Sequence, residues 1–231
     1  MRSDVDVSVP ARLIGEPGRA AMLSALLSGE ALAAGELARA ARVSPATASE
    51  HLARLRAGGL VEVVPAGRHR YYRLASPDVA QVLEALAAVS PSRPVRSLRQ
   101  SNTDAAMAFA RTCYDHLAGR VGVAIHDALV AAGYLVVGGD GYALTDPGLE
   151  SLATLGVDVV GARGGRRIFA MPCLDFTERR PHLAGALGAA FCRQAFELGW
   201  VVRRRQGQRA LRLTDAGRAA LGNELGVVVP D

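Results

Sequence analysis

Two short motifs in the second half of the chain carry the residue types that can do chemistry. Cys113-Tyr114-Asp115-His116 and Cys173-Leu174-Asp175 share a Cys-x-Asp pattern, and His182 follows the second copy. On a helix, Cys113 and His116 would stand at i and i+3 and share a face, a spacing suited to a pair of soft-metal ligands. Cys173, Asp175 and His182 would then approach Cys113, Asp115 and His116 across an internal pseudo-twofold axis. Thiolate with imidazole suits a thiophilic metal or metalloid. A thiolate lowered by a neighbouring His, or by Arg179 and Arg180, would instead react with oxidants or electrophiles. A third reading stands beside these: Cys is among the most buried residue types, and His116 can simply cap or pack inside a core. Cys192, aligned with His126, reads as core. A Cys113/His116/Asp115 hydrolase is disfavoured, because on a helix Asp115 would point away from Cys113. Gly161-Ala162-Arg163-Gly164-Gly165-Arg166-Arg167 lacks the spacing and Lys of a phosphate-binding loop and reads as a basic loop. The expectation is that the chain is not an enzyme.

The elements that would position these residues repeat. His116 to Gly133 aligns with His182 to Gly199 at an offset of 66, with seven identities in eighteen positions. Each copy continues through Gly133-Tyr134 or Gly199-Trp200 into a hairpin, turning at Gly138-Gly139-Asp140-Gly141 or near Gln206-Gly207-Gln208. Each leaves through Leu144-Thr145-Asp146 or Leu213-Thr214-Asp215, where the Thr would cap a closing helix. Two winged-helix-like units, about residues 113–158 and 173–228, are therefore expected. Their middle helices, Val121 to Ala132 and Leu187 to Leu198, are largely apolar.

The first half carries a different pattern. Gly35 to Arg42 reads as a short amphipathic helix, Val43-Ser44-Pro45 as a turn, and Ala46 to Ala57 as a second helix. Ser44 would be the N-cap and Pro45 the first helical residue. Ala48, Leu52 and Leu55 fall on one stripe, with Thr47, Ser49, Glu50, His51 and Arg54 outside it. Gly58-Gly59 ends the helix. Leu60 to Val64 and Arg70 to Leu74 then form a hairpin around Pro65-Ala66-Gly67, with Arg68, His69 and Arg70 at its tip. This is a helix-turn-helix with a basic wing. Small polar residues opening the second helix suit the DNA major groove, and a cationic wing suits the backbone. Seven Arg face two Glu between Arg39 and Arg73, a local excess equal to the formal net charge of +5 for the whole chain. The candidate DNA-contacting residues are Ser44, Pro45, Thr47, Ser49, His51, Arg54, Arg68, His69, Arg70 and Tyr72.

Over residues 11–90 the chain resembles the ArsR family of bacterial winged-helix repressors. The resemblance is carried by Ile14-Gly15-Glu16-Pro17-Gly18-Arg19, Ser44-Pro45-Ala46-Thr47-Ala48-Ser49-Glu50-His51-Leu52, Gly59-Leu60-Val61 and Arg70-Tyr71-Tyr72-Arg73-Leu74, in that order. It implies a homodimer that binds a palindromic operator on double-stranded DNA and releases it when an effector binds. Two departures matter. The family's metal sensors often hold a Cys-x-Cys pair on the first helix of the motif, where this chain has Leu37-Ala38-Arg39-Ala40-Ala41. Others use His and Asp on the helix after the wing, where Pro77 to Val89 offers Asp78 and Glu84 but no His. Neither familiar site carries over.

At 231 residues the chain has room for a second folded unit beyond the winged helix. Ser90-Pro91-Ser92-Arg93-Pro94-Val95-Arg96 reads as the connector, dividing a DNA-binding domain at residues 11–90 from an effector or dimerisation module at 97–231. All 27 basic residues are Arg. Three Cys make no disulfide framework, no apolar run reaches membrane-spanning length, and no secretory leader opens the chain. The expectation is a cytoplasmic protein of mainly α structure with short β-hairpins (α+β), a DNA-binding repressor that needs no cofactor for DNA binding. Its effector would be a metal, a metalloid, an oxidant or a small molecule. The alternative is an architectural or co-regulatory DNA-binding protein whose second half only sets dimer geometry.

Overall fold

The computed structural model describes residues 5–66, 69–91, 98–139, 141–164, 167–205 and 208–229. The chain divides into two compact units, Met1–Leu83 and Glu84–Asp231. The division falls inside a helix rather than in the Pro-containing stretch that follows it, of which residues 92–97 lie outside the described set.

In the first unit α1 (Ser8–Ile14) leads into α2 (Pro17–Leu26). The Glu16 carboxylate accepts the N–H groups of Gly18 and Arg19 at 2.9 and 2.7 Å, and Pro17 sits where no N–H is needed. Arg19 donates back to the carbonyls of Leu13 and Arg12, satisfying the frayed end of α1. Next come β1 (Leu32–Ala33), α3 (Ala34–Ala41) and α4 (Pro45–Ala57). Arg42 takes a left-handed φ of 57° to end α3, and Ser44 Oγ accepts from Thr47 N at 3.1 Å to start α4. Met22, Leu23, Leu26, Leu37, Leu52 and Leu55 form the core beneath this turn. The wing is β2 (Val61–Ala66) paired antiparallel with β3 (His69–Leu74), in register from Val61↔Leu74 to Ala66↔His69. On the other edge β3 pairs with β1, Leu32 opposite Tyr72, so the sheet order is β1-β3-β2. A two-residue strand leaves no alternation to read, which is why the sequence does not announce β1. Val79 and Leu83 of α5 (Pro77–Val89) belong to the same core.

The second unit opens with Glu84 and includes α6 (Leu98–Phe109). The first repeat follows: hairpin β4 (Arg111–Cys113) and β5 (His116–Ala118), helix α7 (Gly119–Ala131), hairpin β6 (Leu135–Gly138) and β7 (Gly141–Leu144), helix α8 (Asp146–Thr154). After α9 (Val159–Arg163) the second repeat runs β8 (Met171–Leu174), β9 (Pro181–Ala184), α10 (Gly185–Glu197), β10 (Val201–Arg203), β11 (Leu211–Leu213) and α11 (Asp215–Leu225). Thr145 and Thr214 cap the closing helices through Gly148 N and Gly217 N. Each repeat therefore begins with a hairpin, not with the helix expected around Cys113 and His116. Both strands of the first hairpin are buried along their whole length, so they show no periodicity, and Tyr114 takes φ 57° in the tight turn.

The repeats interlock. Helix α7 packs on β9 and α10 packs on β5, each on the other repeat's hairpin. Tyr142 N donates to Ala170 O, and Leu211 N to Ala110 O, both at 2.8 Å, so each late hairpin joins the start of the other repeat's early one. Gly122 and Gly188, 66 apart, stand where each helix packs on the hairpins. A Cβ at Gly122 would lie 3.6 Å from His182 Cβ, and one at Gly188 would lie 3.3 Å from His116 Cβ. At Gly188 it would also meet the Leu183 carbonyl oxygen at 2.5 Å. Alanine there gains about 1 kcal/mol of helix propensity, against about 1–3 kcal/mol for overpacking. Gly188→Ala is therefore expected to destabilise this unit by up to about 2 kcal/mol net. Urea unfolding followed at the single tryptophan, buried Trp200, measures it.

Candidate functional site

The two early hairpins bring four ligand-type side chains to one point. Cys113 pairs across its hairpin with His116, and Cys173 across its own with His182. Cys113 and Cys173 Sγ and one ring nitrogen of each His all lie within 4.8 Å of one another. Cys113, His116 and His182 are buried and Cys173 is half-buried. The two imidazoles face each other edge on, Nε2 to Nε2 at 3.1 Å. Their far nitrogens face carboxylates: His116 Nδ1 is 3.5 Å from Asp115 Oδ1, and His182 Nδ1 is 3.3 Å from Asp175 Oδ2. The second contact is close enough for attraction but not aligned as a hydrogen bond. A carboxylate beside Nδ1 favours the proton on that nitrogen, which leaves the Nε2 lone pairs directed at the shared centre. The arrangement is thus a cross-strand one, and the i, i+3 helical spacing expected from the sequence does not occur.

Asp115 and Asp175 stand outside the ligand ring. Asp115 holds Arg167 Nη1 at 2.5 Å. Asp175, wholly buried, accepts from Arg111 Nη2, Gly119 N, Thr177 N, Thr177 Oγ1 and Glu178 N at 2.6–3.1 Å, which uses the capacity of both oxygens. Arg111 is itself fully buried, with Met107 O and Thr177 Oγ1 as further acceptors and the Phe176 ring 4.2 Å from its guanidinium. Its Nε lies 3.5 Å from Glu84 Oε1, and Arg209 pairs with that same carboxylate. Glu84 Oε2 accepts from Cys113 Sγ at 2.8 Å. The sequence marks Glu84 only as a charge on the helix after the wing and gives no sign of Arg111. Glu and Arg are residue types that are normally solvent-exposed, and only the fold reveals their burial here.

The electrostatics follow from these contacts. The Cys113 thiol is pushed up to about 12 by its hydrogen bond with Cys173 and by burial, while the same bond lowers Cys173 against its own burial. Burial lowers His116 and His182, but Asp115 and Cys113 around the first, and Asp175 and Cys113 around the second, outweigh it and raise both. Burial raises Asp115, yet His116 and Arg167 bring it down to about 2. Arg179 and Arg180 do not assist the thiols: Arg179 donates to Ser90 O and Arg180 to Asp127. Cys192 is buried in the core, and its thiol is raised to about 12 by that burial.

On the first unit, Ser44, Pro45 and Ser49 are exposed at the opening of α4, with Arg54 exposed one turn on and paired with Glu50. Thr47 is half-buried, its hydroxyl 2.8 Å from Ser44 Oγ. His51 turns inward, with Nε2 3.4 Å from Glu16 Oε2 and its side chain 13% exposed. Tyr72 packs against the core and Arg70 is exposed on β3. His69 is placed by its backbone alone, and Arg68 lies outside the described residues.

Arg111 is the cation on which the buried carboxylates of the second unit depend. Burial would raise Asp175, but His182 and Arg111 hold it well below the usual carboxylate range. Such a depressed acid stabilises the fold fully above its unfolded value of about 4 and loses that contribution as pH falls below it. Arg111→Met is expected to cost about 3–5 kcal/mol at neutral pH. It should also flatten the loss of stability below about pH 4. Urea titrations at a series of pH values measure both.

Comparison with known proteins adds an independent line. Residues 14–64 match the family model described as a helix-turn-helix domain. The chain is 42% identical over 217 residues to the HTH-type transcriptional regulator YdfF of Bacillus subtilis (strain 168), covering 94% of this chain and 96% of that protein. Among solved structures, reduced HlyU from Vibrio cholerae N16961 is 29% identical over 37% of this chain and 88% of its own, with a TM-score of 0.34. The cadmium metal-sensor CMTR from Mycobacterium tuberculosis is 30% identical over 40% of this chain and 100% of its own, with a TM-score of 0.32. The extent of the YdfF match, with the order of ArsR motifs in the first unit, settles the family: the chain belongs to the helix-turn-helix transcriptional regulators.

Proposed function

We propose that this regulator is a repressor, a homodimer on a palindromic operator that lets go when the Cys/His cluster of its second unit engages an effector. The observation that carries the reading is the bond from Cys113 Sγ to Glu84. Glu84 follows directly on Leu83 in α5, and Leu83 and Val79 of that helix belong to the winged-helix core. Whatever takes the Cys113 sulfur takes it from a carboxylate rooted in that helix. A thiolate left facing Glu84 would repel it, and α5 would feel the change.

On the DNA side, Ser44, Pro45, Thr47, Ser49 and Arg54 are positioned to read the major groove. Arg70, together with Arg68 and His69, would hold the backbone. His51 and Tyr72 would act by fixing α4 and the wing from within rather than by touching DNA. A second reading, in which the C-terminal unit only sets dimer geometry, draws support from the buried Arg111, Asp175 and Glu84 network, which a rigid scaffold would also use. No helix among the described residues is long and apolar enough to cross a membrane.

The DNA half of the proposal is tested by fluorescence anisotropy against the DNA upstream of the gene, over a range of salt. Arg70→Ala is expected to weaken binding to all sequences alike and to lower the log–log salt slope by about 1. An unchanged slope would place Arg70 off the phosphates. Ser49→Ala is expected to weaken the operator while leaving random DNA unaffected, by about 1–3 kcal/mol if its hydroxyl reads a base edge.

A further inference from the structure

The geometry points to a specific occupant for the cluster: we propose that Cys113, His116, Cys173 and His182 together bind a single four-coordinate divalent ion of the zinc class, shared between the two repeats. This deepens the effector half of the proposed function and does not rest on the DNA half.

Four observations carry it. First, the donor set is two sulfurs and two imidazole nitrogens, the combination for which a tetrahedral Zn2+, or Co2+ in its place, is the best match. Second, the spacing fits. Bonds of about 2.0–2.3 Å in a tetrahedron put ligand atoms about 3.3–3.8 Å apart, and here the two Nε2 atoms lie 3.1 Å apart with all four donors inside 4.8 Å. Third, two imidazoles with carboxylates at Nδ1 direct both Nε2 lone pairs at one point, which is repulsive until a cation or proton stands there. A carboxylate behind a histidine is also the arrangement that orients metal-bound imidazoles. Fourth, the neighbouring carboxylates are engaged elsewhere. Asp175 spends both oxygens on Arg111, Gly119, Thr177 and Glu178, and Asp115 is tied to Arg167. Glu84, whose Oε2 touches Cys113 Sγ, pairs through Oε1 with Arg111 and Arg209, so the donor set is the four soft and borderline ligands, which does not favour Mg2+ or Ca2+.

Charge balance agrees with burial. Binding M2+ forms two M–S and two M–N bonds and releases the two thiol protons to solvent, so two thiolates neutralise the ion. A neutral centre suits a site where Cys113, His116 and His182 are each at most 2% exposed. Cys173 is the most open of the four and marks the side from which an ion would enter. Each repeat supplies one Cys and one His, so the ion would bridge the two hairpins at the point where Gly122 and Gly188 let them approach.

The test uses the full-length chain, reduced and stripped of metal, titrated with Co2+ alone and then with Zn2+. Expected are intense visible ligand-field bands of tetrahedral cobalt, a near-ultraviolet thiolate-to-cobalt charge-transfer band, saturation at one ion per chain, and bleaching by Zn2+. Cys173→Ser, at the least buried ligand, should lose about half the charge-transfer intensity, as one of the two Co–S bonds goes. Its circular dichroism should match wild type. Weak octahedral bands without charge transfer, no saturation at one ion, or a spectrum that Cys173→Ser leaves unchanged would overturn the proposal. So would a reduced chain that binds no cobalt. Because the readout is taken on free protein, it stands whether or not the chain binds its upstream DNA.

Discussion

Two buried imidazoles meeting nitrogen to nitrogen at 3.1 Å is the contact around which the second unit is organised. Nothing apolar would draw these rings together, and burial alone disfavours their charged forms. They are held there by what surrounds them: a hairpin behind each ring, a glycine helix face in front of each, and a carboxylate at each far nitrogen. Behind Asp175 stands Arg111, and behind Arg111 stands Glu84, so a line of alternating charge runs from the ring pair to α5. Breaking such a line at one member leaves an uncompensated charge in the interior, which is why its members act as a unit.

On the proposed function, that line would be the means of linking the cluster's chemistry to DNA binding. The first unit contributes a helix opening with exposed Ser44, Pro45 and Ser49 and a wing with exposed Arg70. The second contributes the Cys/His cluster, whose Cys113 sulfur touches Glu84. Both ends are anchored in α5, the first through Val79 and Leu83, the second through Glu84. A coupling of about 1–3 kcal/mol, typical between linked sites, corresponds to a change in affinity of about 5–150-fold. One displaced charge-assisted hydrogen bond is worth about 1.5–3 kcal/mol, so the Cys113–Glu84 contact is of sufficient size to supply it.

Much of this was legible in the sequence, and the exceptions have physical causes. Ser44-Pro45 announces the start of α4 because N-capping and proline geometry are local, and Thr145 and Thr214 announce the closing helices for the same reason. The offset of 66 between His116 and His182 exposes the repeat, and the repeat brings Cys113, His116, Cys173 and His182 under suspicion together. The helix expected across Cys113 to His116 is a hairpin, because strands buried on every side lose the alternation that identifies them. Asp115 and Asp175 face outward from the ring as partners of arginines, a distinction that depends on Arg111 and Arg167 arriving from elsewhere in the chain. The glycines at 122 and 188 were in plain view at equal positions of the two copies. Their shared offset was the sign that something large approaches both helices.

Coupling between the cluster and the DNA-binding helix is read from operator affinity measured with and without saturating Zn2+ at one fixed salt concentration. Zn2+ is expected to weaken operator binding by about 5–150-fold in the wild-type chain and to leave Cys113→Ser, which lacks the sulfur facing Glu84, unchanged. Equal affinity of the wild-type chain in both conditions, with the ion bound, would contradict it and leave the second unit a scaffold.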